Sequence, residues 1–173
     1  MPRRPSPTRR SERARWPLTV VVLGLVLGLA VLARTRFIDV VTVSSDSMAP
    51  TVCTSDTLLV RRIHDGDAIQ RGDVVTFSNP ADGEPMIKRV VAVGGQRLLI
   101  TDGRLIVDGA AVAEPYVDRA QVGGVFFQTV TVPDGSVFVM GDHRETSIDS
   151  RSFGPVPTSA VTGRMLATLW SGC

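Results

Sequence analysis

Eighteen consecutive residues, Trp16 to Ala33, carry no charge, and this run, WPLTVVVLGLVLGLAVLA, divides the chain before any other feature does. As a helix it is about 27 Å long at 1.5 Å per residue, just enough to cross a bilayer. It has no polar face, so it does not suit a helix lying along a membrane surface. Before it stand Arg3, Arg4, Arg9, Arg10, Arg13 and Arg15 against Glu12 alone, interspersed with Pro and Ser, the composition of a disordered basic tail. These arginines outnumber Arg34 and Arg36 after the run, which places the tail in the cytoplasm and everything after residue 36 outside. The expected organisation is a basic cytoplasmic tail 1–15, one transmembrane helix 16–33 in the cell membrane, a juxtamembrane linker 34–42 and an extracytoplasmic domain 43–173. A cleaved secretory signal is the competing reading, because Val31-Leu32-Ala33 offers small residues near a cut. The length of the run and the arginine directly after it argue for a retained anchor.

From residue 37 onward, 11 basic residues face 16 acidic ones, a net charge of −5. An acidic domain argues against nucleic acid as a partner, which would call for a basic patch. Its apolar runs are short, β-branched and bounded by turn residues: Thr57 to Ile63, Val74 to Phe77, Met86 to Val93, Arg97 to Ile100, Arg104 to Val107, Phe126 to Val132, Val137 to Met140 and Val161 to Leu169. These read as strands, and no stretch outside the membrane run shows a clear helical period, so the domain is expected to be mainly β. Asp102-Gly103 is a hairpin signal and Asp108-Gly109 closes the next turn. Arg71-Gly72-Asp73, Gly94-Gly95 and Gly123-Gly124 read as turns. No glycine-rich segment leads into a helix with a lysine, and no His, Cys and carboxylate cluster has metal-site spacing, so neither metal nor cofactor is expected.

Two features carry chemistry. In Val43-Ser44-Ser45-Asp46-Ser47-Met48-Ala49-Pro50-Thr51, the two-residue spacing of Ser45 and Ser47 puts both hydroxyls on one side of an extended backbone, while Pro50 favours a fixed bend over a helix. A nucleophilic serine needs a base, and neither His64 nor His143 stands in a triad setting. Lys88, the one lysine among 19 basic residues, alternates with apolar neighbours so as to share a strand face with Met86 and Val90. Desolvation there lowers a lysine's pKa toward the range of a general base. A solvated strand lysine whose stem covers its neighbours is the plainer alternative.

Ser45 to Thr51, Arg71-Gly72-Asp73-Val74-Val75, Ile87-Lys88-Arg89-Val90-Val91 and Gly141-Asp142-His143-Arg144-Glu145-Thr146-Ser147-Ile148-Asp149-Ser150-Arg151 resemble, in order and spacing, the motif boxes of the type I bacterial signal peptidases. That family consists of membrane-anchored serine proteases with a Ser/Lys dyad. The resemblance implies a signal-peptidase-like β-fold with barrel-like regions. It also implies removal of signal peptides from secretory preproteins by cutting after small residues. By position, Ser47 matches the nucleophile and Lys88 the general base. Ser45, with the Ser47 N–H, matches the oxyanion hole. Ser147 matches a serine that holds the lysine amine, Asp149 and Arg151 a supporting ion pair, and Met48, Met86 and Ile87 residues that line substrate pockets. Asp142 is expected, like Asp149, to be held by arginine and not by Lys88.

The chain departs from the family pattern at Ser55-Asp56, Met86, Gly94-Gly95 and Glu145-Thr146, none of them at the dyad. The short insert before the last box suggests an accessory region reduced to the 97–132 hairpins. Other readings are a self-cleaving repressor protease, a non-catalytic anchored β-domain, and a sortase-like transpeptidase using Cys53. The repressor would need a DNA-binding domain where the apolar run stands, and a sortase would need a histidine before its cysteine. Cys53 and Cys173 both fall on the oxidising side of the membrane in this topology. A bridge between them and a buried Cys53 with a frayed terminus are both open.

Overall fold

The computed structural model describes residues 16–118 and 127–173; the basic tail 1–15, the Gly123-Gly124 turn and Phe126 lie outside the described residues. The chain divides into two compact units, Met1–Arg36 and Phe37–Cys173.

The first unit is described through α1, Trp16–Phe37, a helix of 22 residues that runs to the first residue of the second unit. Leu18, Leu23, Leu25, Leu27 and Leu29 are all strongly exposed, so the described side chains of this helix form no buried face. The helix outlasts the expected end at Ala33 because Arg34 and Arg36 are good helix formers and no Gly or Pro intervenes before the β-branched stretch from Ile38. Among the described side chains, which within this run are residues 18–29 and 31, no helix is long and apolar enough to cross a membrane.

The second unit is mainly β, as its short β-branched runs predict. Its first strands are β1 (Ile38–Thr42), β2 (Thr57–Arg62), β3 (Val74–Ser78), β4 (Pro85–Val93), β5 (Arg97–Thr101) and β6 (Arg104–Val107). There follow β7 (Ala110–Ala111), β8 (Phe127–Thr131), β9 (Ser136–Met140), the short helix α2 (Ser150–Phe153), β10 (Val156–Pro157) and β11 (Val161–Trp170). Seven strands form one sheet in the order β1-β2-β11-β3-β4-β9-β10, and four form a second in the order β7-β6-β5-β8. Every pairing is antiparallel. Positive φ at Asp102 (50°) and Gly103 (69°) gives the tight turn between β5 and β6 that the Asp-Gly signal predicts, and Asp108 and Gly109 repeat it.

Strand β4 is buried on both faces from Lys88 to Ala92. A register shift against β9 between Val90 and Ala92 lets the strand feed two cores. Val90 packs with Val75, Phe77, Val137 and Val139, whereas Val91 and Ala92 pack with Leu98, Leu105, Phe138 and Met140. A third cluster, Val43, Met48, Val52, Leu58 and Val60, underlies the loop between β1 and β2.

Several elements differ from the sequence reading. Residues 38–42, read as linker, pair with β2 along their whole length. The two-residue strands β7 and β10 are too short to show alternation. Helix α2 is a single turn begun by Asp149, whose carboxylate accepts from the Arg151 N–H, and ended at Gly154 with φ 84°; it carries a cap and a stop with no apolar period between them. The cysteines are bridged, Cys53 to Cys173, with Cα atoms 5.6 Å apart. Asp56 reinforces the join, its carboxylate accepting from the Cys53 N–H at 2.9 Å and the Gly172 N–H at 2.5 Å. Those two N–H groups, Cys53 first, hold the Asp56 carboxyl below the usual carboxylate range.

Candidate active site

The position of Ser47 follows from the residues beside it. Val43 and Met48 are buried, Met48 completely, and burying a methionine side chain stabilises by roughly 1.5–3 kcal/mol. This anchors the loop on the core next to the serine. Bonds from Ala49 N–H to the Asp46 carbonyl (2.8 Å) and from Val52 N–H to the Met48 carbonyl (3.0 Å) turn the chain, and the Ala49–Pro50 peptide is cis. The result is the fixed bend that Pro50 predicts. Ser45 Oγ and Ser47 Oγ lie 3.2 Å apart, so the alternating spacing does bring the two hydroxyls together.

Lys88 comes from the middle of β4, opposite Val75 of β3. Its Nζ donates to Ser47 Oγ at 2.6 Å, across 41 residues of sequence. The lysine is 3% exposed. Met86 and Val90, which share its strand parity, pack in one cluster, as the alternation predicts. Burial holds the Lys88 ammonium pKa below the ordinary lysine value, opposed by the charges of Asp149 and then Asp142.

The loop from Gly141 to Arg151 supplies the other wall. Asp142 is bidentate with Arg89, Oδ1 accepting from Nε at 2.9 Å and Oδ2 from Nη2 at 2.7 Å. Asp149 accepts from Arg151 Nε at 2.8 Å and Nη2 at 2.9 Å, and from the Gly141 N–H at 3.0 Å. Both carboxylates are therefore held by arginine, as expected. Ser150 Oγ, one residue on, accepts from the Val139 N–H at 3.0 Å and ties the loop to β9. The loop reaches Ser47 through its backbone, the His143 N–H donating to the Ser47 carbonyl at 3.2 Å. Gly141 makes this closeness possible, because a Cβ there would stand 2.3 Å from Ser147 Oγ and 2.4 Å from the Ser47 carbonyl oxygen.

Ser147 does not hydrogen-bond Lys88 in this structure. Its Oγ is buried beside Gly141 with no hydrogen-bond partner. Met86 and Ile87 are half-buried and on opposite clusters, whereas Met48 lies wholly within the core and presents no open surface. A recess of about 200 Å³ beside the loop is lined by Ala49, Pro50, Asp118, Asp142, His143 and Arg144, and by none of the three. Among the described residues no group of three or more His, Cys, Asp or Glu is arranged to hold a metal ion.

The sequence reading gave no role to Glu114 or Tyr116. Glu114 is 5% exposed and paired with Arg144, and the Arg89 guanidinium lies 3.9 Å over the Tyr116 ring. Burial first, and then the Glu114 charge, push the Tyr116 hydroxyl up to about 12, so it remains protonated at neutral pH. Nothing local marks these residues; Glu114 and Arg144 are 30 positions apart.

The family described as "Signal peptidase, peptidase S26" matches residues 15–170. The chain is 36% identical over 155 residues to "Signal peptidase I V" of Bacillus subtilis (strain 168), covering 82% of this chain and 90% of that protein. It is 30% identical over 175 aligned positions to "Signal peptidase I" of Leptolyngbya laminosa, covering 95% and 85%. A crystal structure of a signal peptidase I from Enterococcus faecalis V583 superposes with a TM-score of 0.51 at 31% identity, over 58% of this chain and 98% of that one. The chain belongs to the signal peptidase I family, peptidase S26, and is a serine protease.

Proposed function

We propose that Ser47 and Lys88 are the catalytic dyad of a membrane-anchored endopeptidase that removes signal peptides from secreted preproteins. The observation that carries this reading is the 2.6 Å contact between Ser47 Oγ and a lysine Nζ that is buried. In the reaction, Lys88 in its neutral form takes the Ser47 proton as the serine oxygen attacks the scissile carbonyl. The resulting oxyanion receives hydrogen bonds from the Ser45 hydroxyl and the Ser47 N–H. Lys88 then gives its proton to the departing amine and activates the water that releases the acyl group. Asp149, Arg151, Asp142 and Ser147 support the loop facing the dyad, and Met86 and Ile87 contribute to the substrate subsites. Met48 would reach a subsite only through movement of the loop.

The anchor is the uncharged run 16–33 within α1, with the basic tail 1–15 in the cytoplasm and the protease domain 43–173 outside. In lipid such a segment satisfies its backbone polar groups internally as a helix. The substrates are preproteins whose signal segment shares the same bilayer.

The test is incubation of the detergent-solubilised full chain with a secretory precursor, followed by N-terminal sequencing. A single cut at the signal junction after a small residue is expected, and Ser47→Ala should leave the precursor intact while the variant keeps its fold. Normal turnover by Ser47→Ala would remove the dyad from the mechanism.

A further inference from the structure

The segment between β7 and β8 carries a buried carboxylate outside the motif boxes. Glu114 takes both terminal nitrogens of Arg144, Nη1 donating to Oε2 at 3.0 Å and Nη2 to Oε1 at 2.5 Å. The two side chains are 6% and 2% exposed. Apolar residues of similar volume often stabilise a core as well as a buried ion pair does, so folding stability is a weak reason for this one. Its geometry offers another. Arg144 Nε donates to the Gly141 carbonyl at 3.0 Å, and the Gly141 N–H donates to Asp149 at 3.0 Å. The Gly141 residue is therefore held at both its N–H and its carbonyl, at the point where the Ser47 carbonyl passes too close to admit a Cβ. Two residues along the same segment, the Tyr116 ring lies against Arg89, the neighbour of Lys88 on β4.

We propose that Glu114 is a positioning residue for peptide cleavage. Through Arg144 it fixes Gly141, and Gly141 fixes the backbone at Ser47, which keeps the serine oxygen within reach of Lys88. Tyr116 steadies the lysine's strand from the other side through Arg89. Glu114 touches neither substrate nor reacting atom. The inference rests on the Ser47/Lys88 reading. A misplacement of about 1 Å at a reacting group can cost on the order of 10²-fold in rate, so a loosened Gly141 should appear in kcat and not in KM.

The experiment compares Glu114→Gln with the double variant Glu114→Leu, Arg144→Met, both in the full-length protein, on a precursor substrate at a temperature where each is folded. Glu114→Gln should lower kcat by about 10²-fold with KM within about twofold. The double variant removes both charges at similar volume; it should unfold near the wild-type temperature while kcat stays low, because nothing then holds the Gly141 carbonyl. Return of kcat to wild type along with stability in the double variant would assign the pair to folding alone and overturn the proposal. Wild-type kcat in Glu114→Gln would do the same. Ser47→Ala assayed in parallel separates the two readings: if it is inactive while the Glu114 variants are normal, only the positioning role fails, and if it is active, the dyad fails first.

Discussion

The two walls of the site treat charge in opposite ways. Lys88 meets the hydroxyl of Ser47 and, among the described residues, stands in no ion pair. On the facing loop, Asp142, Arg144 and Asp149 are each paired, with Arg89, Glu114 and Arg151. Every cation in those pairs is an arginine, which keeps its proton at any working pH. Asp149 and Asp142 both act to raise the Lys88 pKa, yet desolvation outweighs them. The difference teaches how a lysine can serve as a base beside two carboxylates. The carboxylates are occupied by cations that cannot titrate, and the one cation that the proposed mechanism requires to lose its proton is left, among the described residues, without an ion-pair partner.

The largest break in this contrast is a permanent charge on the uncharged wall. Lys88→Arg should cut the cleavage rate by roughly 10²- to 10⁴-fold, the usual worth of a general base. A rate near wild type in a folded Lys88→Arg variant would remove Lys88 from the proton transfer.

Next is an unpaired charge on the opposite wall. Arg89→Met strands Asp142, whose side chain is fully buried, and the loss of stability should be about 3–5 kcal/mol by denaturant titration. It should also move the pH profile. With Lys88 as the proposed base its active form is the neutral amine, so activity should rise with pH through a pKa that burial has lowered. Asp142 without its arginine favours the ammonium more strongly, and the limb should shift to higher pH. The same depression makes the unfolded chain the stronger proton binder between the lowered pKa and about 10.4, so wild-type stability should climb with pH across that window. A limb that stays in place in Arg89→Met would show that Arg89 does not insulate the lysine.

The smallest effect sharpens the comparison at Ser147, whose buried hydroxyl has no partner in this structure. If it engages Lys88 only once the amine is neutral, Ser147→Ala should leave the unfolding temperature unchanged and lower the rate by up to about tenfold, the worth of one neutral hydrogen bond. A loss of stability without a loss of rate would make it a packing residue.

Much of the site was legible in the sequence because its parts are local patterns. The Ser45 and Ser47 spacing, the single lysine on an alternating strand, and the arginines near Asp142 and Asp149 each sit inside a short motif. The mainly β character and the Asp102-Gly103 turn were legible for the same reason. Glu114, Tyr116 and the pairing of Ile38 to Thr42 with β2 were not, because their roles depend on partners that only the folded chain brings near. Ser147 shows the converse: a residue can stand in the right motif while its hydroxyl makes no hydrogen bond to the expected partner in this structure.

The position of β11 has a consequence for how the two halves of the site are joined. The strand pairs with β2 on one side and β3 on the other. It is therefore the sheet's link between the half that holds Ser47, between β1 and β2, and the half that holds Lys88 on β4. Of the described strands it is also the last in chain order. In chain order Ser47 and Lys88 both precede the strand that joins their two halves of the sheet. Displacing β11 from β2 and β3 would therefore break the strand pairing that connects Ser47 to Lys88 within the sheet.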